Sequence, residues 1–399
     1  MFALVQNEVP LIATIAVGLA FALVGGLLAV RLRLPPLVGY LLAGIAVGPF
    51  TPGFVADTKL APQLAEIGVI LLMFGVGMHF SVGDLFAVRR VALPGALAQI
   101  AVATALGAGV ASLWGWPLGA GIIFGLSLSV ASTVVLLRAL EARDMIGSND
   151  GRIAIGWLVV EDLVMVLALV VLPAVAVSLG GHIEDHTSNV SVWQALGLTI
   201  GKVALFVGLM LVVGVRFFPW LLARVERTGS RELFTLAVIA LALGVAFGSA
   251  KLFGVSLALG AFLAGMVVNE SDLSHRAARD LQPLQDAFSV LFFVAVGMLF
   301  DPSILIRQPL QVLAVLAIIV IGKSVAAFGI VLALGGSSRT GLVVSAALAQ
   351  IGEFSFILAG LGVSFGLLPQ EGLNLILAGA LLSITLNPAI FYAATAAKK

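Results

Sequence analysis

The chain has 399 residues, 61% of them hydrophobic and only 10% charged, with a mean hydropathy of +1.18. Soluble domains carry roughly 45–50% apolar and about 25% charged residues, so this chain is solvated by lipid. With 21 Lys+Arg against 20 Asp+Glu and no basic run, nothing points to nucleic acid, and the lack of cysteine excludes disulfides, thiol catalysis, Fe–S clusters and cysteine-held zinc.

The opening MFALVQNEVP carries no Lys or Arg, so the first apolar run reads as a retained span rather than a cleaved signal. At about 20 apolar residues per crossing, spans are expected near 9–30, 35–50, 62–79, 92–112, 117–140, 153–179, 191–223, 232–250, 254–269, 284–300, 309–334, 340–362 and 372–395. The fold class is therefore an all-α polytopic membrane protein of about thirteen helices. One set of loops and span ends holds Arg31, Arg33, Arg89, Arg90, Arg138, Arg143, Arg152, Arg216, Arg224, Arg227, Arg231, Arg276, Arg279, Arg339, Lys398 and Lys399. The alternate set holds only Lys59, Lys251 and Arg307. Positive residues stay cytoplasmic, which places the N-terminus outside and the C-terminus inside.

Segment 64–80, LAEIGVILLMFGVGMHF, and segment 284–300, LQDAFSVLFFVAVGMLF, both carry an acid at the third position (Glu66, Asp286) and close on V-G-M-x-F, offset by 220. GYLLAG at 39–44 matches GAFLAG at 260–265, offset by 221. The shift equals seven spans, an odd number, so the repeats are inverted, as in many secondary transporters. The chain then divides into a first repeat at 1–190, a linker helix at 191–230 and a second repeat at 231–399.

A charge at the centre of a span costs at least about 2.5–3.5 kcal/mol. In WLVVEDLVMV, Glu161 and Asp162 sit side by side; Asp162 is nine residues past Ile153, about 14 Å at 1.5 Å per residue, near the midplane of a ~30 Å core. Lys323 in IIVIGKSVAAF, thirteen residues from Leu310, and Glu353 in LAQIGEFSF, thirteen from Thr340, also fall near mid-depth. One Lys–Glu pair could be structural, but two further carboxylates then need a proton, a cation or water. A carboxylate that must be neutralised takes either a proton or a metal ion, which is the basis of exchange. The fifth and twelfth spans look broken. LSLSVAST brings Ser127, Ser129, Ser132 and Thr133 to mid-depth, and AQIGEFS brings Gln350, Gly352, Glu353 and Ser355, again about 222 apart. Small residues serve helix packing too; paired by symmetry beside Asp162, they suit discontinuous helices whose carbonyls and dipoles serve an ion.

VGYLLAG, the pair Glu161-Asp162, NESDLSHRAARD followed by LFFVAVGMLFD, and AQIGEFSFIL together resemble the Kef-type potassium:proton antiporters of the cation:proton antiporter-2 family, with GPFTPGFVADTKLAP pointing to a YbaL-like subgroup. The resemblance runs through essentially the whole chain. It implies a sodium/proton antiporter fold in which spans 1–3 and 8–10 form a dimerising scaffold. Spans 4–6 and 11–13 would form a core that carries the ion by an elevator-like shift, with spans 5 and 12 crossing at broken midpoints. Asp162 matches the acid that binds ion and proton, Glu161 stands where relatives have Asp, Asn or Gln, Lys323 matches the lysine that pairs with that first position in one branch, and Glu353 matches the acid of the G-E-F motif. Typical Kef proteins have Gln before the key Asp, so Glu161 leaves the proton:ion ratio open. Full-length relatives continue into a cytosolic nucleotide-binding domain, whereas this sequence stops at Lys399. Any such regulation is expected from a separate domain or subunit. Loop 269–280 resembles the loop on which that domain acts and reads equally as a solvated inside loop.

The expectation is a bacterial inner-membrane homodimer, not an enzyme and without cofactors, that exchanges a monovalent cation for protons. The cation would bind at Asp162 with Glu161 and Glu353 as partner acids, Glu161–Lys323 as a supporting ion pair, and Ser129, Ser132, Thr133 and Gln350 as further ligands. Potassium is the first choice and sodium the second; a gated potassium channel on the same scaffold, or a non-transporting component of a regulatory complex, are the competing readings. His182 and His186 in an outside loop read as a weak metal site or a solvated loop.

Overall fold

The computed structural model describes residues 10–52, 55–57, 60–79, 82–181 and 192–396, and over these it is helical with no strand. The His182–His186 loop lies outside them. The first half comprises α1 (Pro10–Arg31), α2 (Pro36–Ala46), α3 (Leu60–His79), α4 (Val82–Leu113), α5 (Leu118–Ser129), α6 (Thr133–Glu141) and α7 (Asn149–Val175). Then come α8 (Val192–Leu209) and α9 (Val215–Glu226), joined through a π-turn at Met210–Gly214. The second half comprises α10 (Arg231–Phe253), α11 (Leu257–Asn269), α12 (Ser274–Met298), the short α13 (Ile304–Arg307), α14 (Pro309–Ala317), α15 (Lys323–Ala333), α16 (Ser338–Leu348), α17 (Glu353–Ser364) and α18 (Gln370–Ala396).

Among the described residues, ten helical segments are long and apolar enough to cross a membrane, or eleven when the bent pair α16/α17 counts as one. The helices α2 and α11, at 11 and 13 residues, reach only about 17 and 20 Å at 1.5 Å per residue, short of a ~30 Å hydrocarbon core. Length alone thus supports fewer crossings than the thirteen expected. The core is apolar, but so is much of the outer surface, and a few polar groups are buried inside. Leu23, Leu27, Leu113, Leu198, Leu252 and Leu310 are exposed, whereas Gln99, Glu161, Lys323, Gln350 and Asn387 are fully buried. The chain is a multi-pass protein embedded in lipid.

Helices α1–α3 pack with α10–α12, and α4–α7 pack with α14–α18. Within the first group, glycines let helix backbones touch. A Cβ on Gly44 would lie 2.1 Å from the carbonyl oxygen of Val294, and one on Gly265 the same distance from that of Phe74. One on Gly77 would lie 2.2 Å from Phe262 O, and one on Gly297 2.2 Å from Leu41 O. Each contact in α2, α3, α11 and α12 thus recurs 220 or 221 residues along the chain.

The second group carries two interrupted helices. Between α5 and α6 the chain runs extended through Val130 and Ser132, and Ser132 caps α6 by accepting from Val135 N. Between α16 and α17 the axis bends by 49°. The interruptions meet: a Cβ on Gly352 would lie 2.5 Å from Ser132 Cα and 2.9 Å from Ser132 N. Both are backbone atoms with no freedom to yield, and overpacking of this kind costs about 1–3 kcal/mol. Gly352→Val is therefore expected to lower the unfolding temperature in detergent and to impair transport. A fully stable Gly352→Val protein would show that the two breaks do not depend on this close approach.

Candidate functional site

The two interruptions touch, with α5 packed on α17 and α6 on α16, so two helix N-termini (α6, α17) and two C-termini (α5, α16) converge there. N-termini carry about half a positive charge and C-termini about half a negative one, each with unsatisfied backbone groups. The charged side chains are sorted accordingly. Glu161 Oε2 accepts from Ala131 N at 2.9 Å, and Asp162 Oδ2 accepts from Thr133 Oγ1, the first residue of α6, at 3.1 Å. Glu353 opens α17 and its Oε2 accepts from Ser132 Oγ at 3.2 Å. Lys323 sits at the other pole: its ammonium donates to the carbonyl of Gln350 at 2.9 Å, just past the end of α16. A π-turn at Ile318–Gly322 immediately precedes Lys323, an irregularity that often marks functional positions.

Glu161 and Lys323 attract one another electrically but form no direct salt bridge, so the expected contact pair is replaced by a cation held on backbone carbonyl. The break leaves Gln350 O without a helical partner, and the ammonium satisfies that carbonyl while Glu161 Oε2 is held by Ala131 N.

Successive residues on a helix diverge by about 100°, and this separates the two neighbouring acids. Glu161 is sealed, with Oε1 unpartnered and the indole of Trp157, one turn earlier, directed at it outside hydrogen-bond geometry. Asp162 is only 6% exposed, yet it lines a cavity of ≈ 580 Å³ together with Thr133 and Glu353. Its Oδ1 is buried, and among the described residues it has no hydrogen-bond partner. The cavity continues past Gln285, Asp286 and Tyr40 to Arg138 and Pro35, at the arginine-rich end of the bundle. A second cavity of ≈ 780 Å³ opens toward the other end, lined by Glu66, Leu169, Phe292, Val296 and Phe356 among others, and includes none of the buried acids.

Of the residues singled out from sequence, Asp162, Glu353 and Thr133 meet in the first cavity. Ser132 links them to the break through Glu353. Ser129 and Gln350 do not line the cavity. Ser129 Oγ turns back to Leu126 O at 2.7 Å. Gln350 clasps the opposite break, accepting from Ser132 N at 2.8 Å and donating to Ser132 O at 3.2 Å. Two residues were not foreseen. Gln99 on α4 donates to Ser129 O at 3.1 Å, and Asn387 on α18 donates to Ala346 O at 2.9 Å, each quieting a carbonyl near a break. Both are lone amides inside apolar runs, ALAQIAV and ITLNPAI, which was the available signal. Among the described residues no group of three His, Cys, Asp or Glu is placed to hold a metal ion. A cation at Asp162 would therefore complete its shell with Glu353, hydroxyls, carbonyls or water.

Crossed, interrupted helices with acids at their N-termini and a half-open cavity define a secondary transporter rather than an enzyme. The sodium/hydrogen exchanger transmembrane family model matches residues 19–395, and the chain belongs to that family. It is 64% identical over 386 residues to the Escherichia coli (strain K12) protein named "Putative cation/proton antiporter YbaL", covering 97% of this chain and 69% of that one. It is 33% identical over 392 residues to "K(+) efflux antiporter 4" of Arabidopsis thaliana, covering 98% and 65%. The chain thus spans about two thirds of the length of these relatives. Among solved structures, the sodium proton antiporter MjNhaP1 from Methanocaldococcus jannaschii at pH 8 superposes with a TM-score of 0.67 at 17% identity, covering 98% of this chain and 99% of that one. That likeness speaks to the fold.

Proposed function

We propose that this chain exchanges a monovalent cation for protons at Asp162, with potassium as the preferred cation and sodium second. One observation carries the reading: a nine-tenths buried carboxylate with an unpartnered oxygen lines a cavity that reaches one end of the bundle. Such an oxygen needs a proton or a cation. Protonation of Asp162 releases the ion; deprotonation recreates the binding site. The choice of potassium rests on the name of the Arabidopsis relatives, and sodium stands second because the matched archaeal structure is titled a sodium proton antiporter.

The wider architecture follows the same reading. The recurring glycine contacts support inverted repeats at 1–190 and 231–399, with 191–230 as linker. Counting α2 and α11 as short crossings shielded by neighbours gives thirteen. Arginine-rich loops place the N-terminus in the periplasm and the C-terminus in the cytoplasm of a bacterial inner membrane. The α1–α3/α10–α12 group serves as a dimerising scaffold and the α4–α7/α14–α18 group as the moving, elevator-like core. Regulation falls to a cytosolic domain or subunit outside these residues. Asp162 and Glu353 line the first cavity and not the second, and access from one side supports exchange over a channel.

The test is counter-flow in proteoliposomes. An outward pH step should drive uptake of labelled potassium, sodium less well, and the apparent KM for the cation should rise as pH falls. In simple competition that rise is about tenfold per pH unit once the site is mostly protonated. Current that follows voltage without any linked pH change would replace exchange by a channel.

A further inference from the structure

The two acids that mark the internal repeat, Glu66 and Asp286, make none of the contacts at the two helix breaks. Each stands in the third position of its repeated segment, 220 residues from the other. They sit on α3 and α12, which pack against one another, with Gly68 of α3 close against the Phe288 carbonyl. Both side chains are exposed, and among the described residues neither makes an ion pair or a side-chain hydrogen bond. A role in holding the scaffold together therefore has no contact to act through. What each does have is a cavity. Asp286 lines the one that ends at Asp162, and Glu66 lines the one on the opposite side.

The charge lining these cavities is one-sided. The first contains Asp162, Asp286 and Glu353 against Arg138 alone, and the second contains Glu66 as its single charged residue among apolar walls. Low-dielectric walls focus the field of a carboxylate and raise the local concentration of the opposite charge. In the first cavity the unpartnered Oδ1 of Asp162 lies at the far end of the same space, so a cation drawn in has a destination. The helices that line both cavities show how the second acid comes into use. Asp162 faces the first cavity and Leu169, seven residues further along α7, faces the second. Seven residues amount to about 10 Å along the axis. Likewise Glu353 opens on the first and Phe356 on the second. Sliding the core by about that length would take Asp162 out of the Asp286 cavity and into the Glu66 cavity.

We infer that Asp286 and Glu66 are alternating capture sites for the transported monovalent cation, one for each side of the membrane. Asp286 gathers a partly hydrated cation from the arginine-rich end and passes it to Asp162. Glu66 does the same from the opposite end once the core has shifted. The inference rests on Asp162 being the exchange site.

Asp286→Asn and Glu66→Gln, made in the full chain, separate this from a structural role. Labelled potassium uptake is measured with cation supplied to one face only, in everted and in right-side-out membrane vesicles, at two ionic strengths. Asp286→Asn should raise KM at least about threefold on the arginine-rich face and leave KM on the other face and kcat unchanged. Glu66→Gln should do the reverse. Both effects should shrink at high salt, which screens exposed charge, and Asp286→Glu should restore the wild-type KM. Equal changes on both faces, or no change on either, would overturn the inference while leaving Asp162 as the exchange site. If the unmodified protein moves no cation, or Asp162→Asn moves it normally, the exchange reading falls and this inference with it.

Discussion

Asp162→Asn is expected to reduce cation-driven proton flux to the level of protein-free vesicles while leaving the protein folded. Asparagine keeps the volume of the side chain and retains an oxygen to accept from Thr133 Oγ1, now at 3.1 Å. It can neither ionise nor release a proton, so the alternation between a neutral and an anionic site is lost. Stability should hold or rise, because replacing a buried charge by a neutral group of similar shape removes a desolvation cost. Glu353→Gln should be milder. Glu353 lines the same cavity, but its Oε2 is already engaged by Ser132 Oγ at 3.2 Å, which leaves it placed to complete a cation's shell rather than to define it. A pH-sensitive dye trapped in proteoliposomes reads both variants against thermal unfolding in detergent. Full exchange by Asp162→Asn would remove the carboxylate from the mechanism. Loss of exchange together with loss of fold would be answered by Asp162→Glu, which restores the charge and should restore measurable flux.

The positions of the helices were legible because lipid allows one solution, an apolar run that closes its own hydrogen bonds. Breaks at 130–132 and 349–352 were legible from hydroxyls, glycine and amides inside such runs. The direction in which each side chain faces at a break was not. Ser129 and Thr133 flank the same interruption, yet Ser129 Oγ is spent on Leu126 O while Thr133 reaches Asp162. A residue's azimuth past an interruption depends on the backbone path, which periodicity does not encode. Lys323 makes the same point. Its charge identified it, but its partner is a carbonyl orphaned by a break in another helix. Gln99 and Asn387 were overlooked because a neutral amide in a span costs less than a charge and stands out less. They nevertheless occupy related posts, each donating to a carbonyl beside one of the two breaks.

The same geometry sets the largest expected stability effect. Lys323 is fully buried, donates to Gln350 O at 2.9 Å, and is, among the described residues, the cation set against Glu161, which is itself fully buried. Lys323→Met removes that cation while keeping most of the volume. It leaves an uncompensated carboxylate and an unpaired carbonyl; leaving a buried polar group unsatisfied costs about 1–3 kcal/mol, more for a charged one. The unfolding temperature should fall sharply. Glu161→Gln alone should cost less, since an amide still accepts from Ala131 N and presents its other end to the unpartnered side. The double variant Lys323→Met/Glu161→Gln should recover part of the loss, because the second change removes the charge that the first had stranded, giving a coupling on the order of 0.5–3 kcal/mol. Strict additivity would instead mean that Lys323 serves only the Gln350 carbonyl, with Glu161 neutral in the folded protein. Exchange activity separates the two carboxylates further. If Asp162 is the exchanging group, the double variant, once stable enough to reconstitute, still trades cations for protons, with a proton:ion ratio that reports whether Glu161 had been carrying a proton of its own.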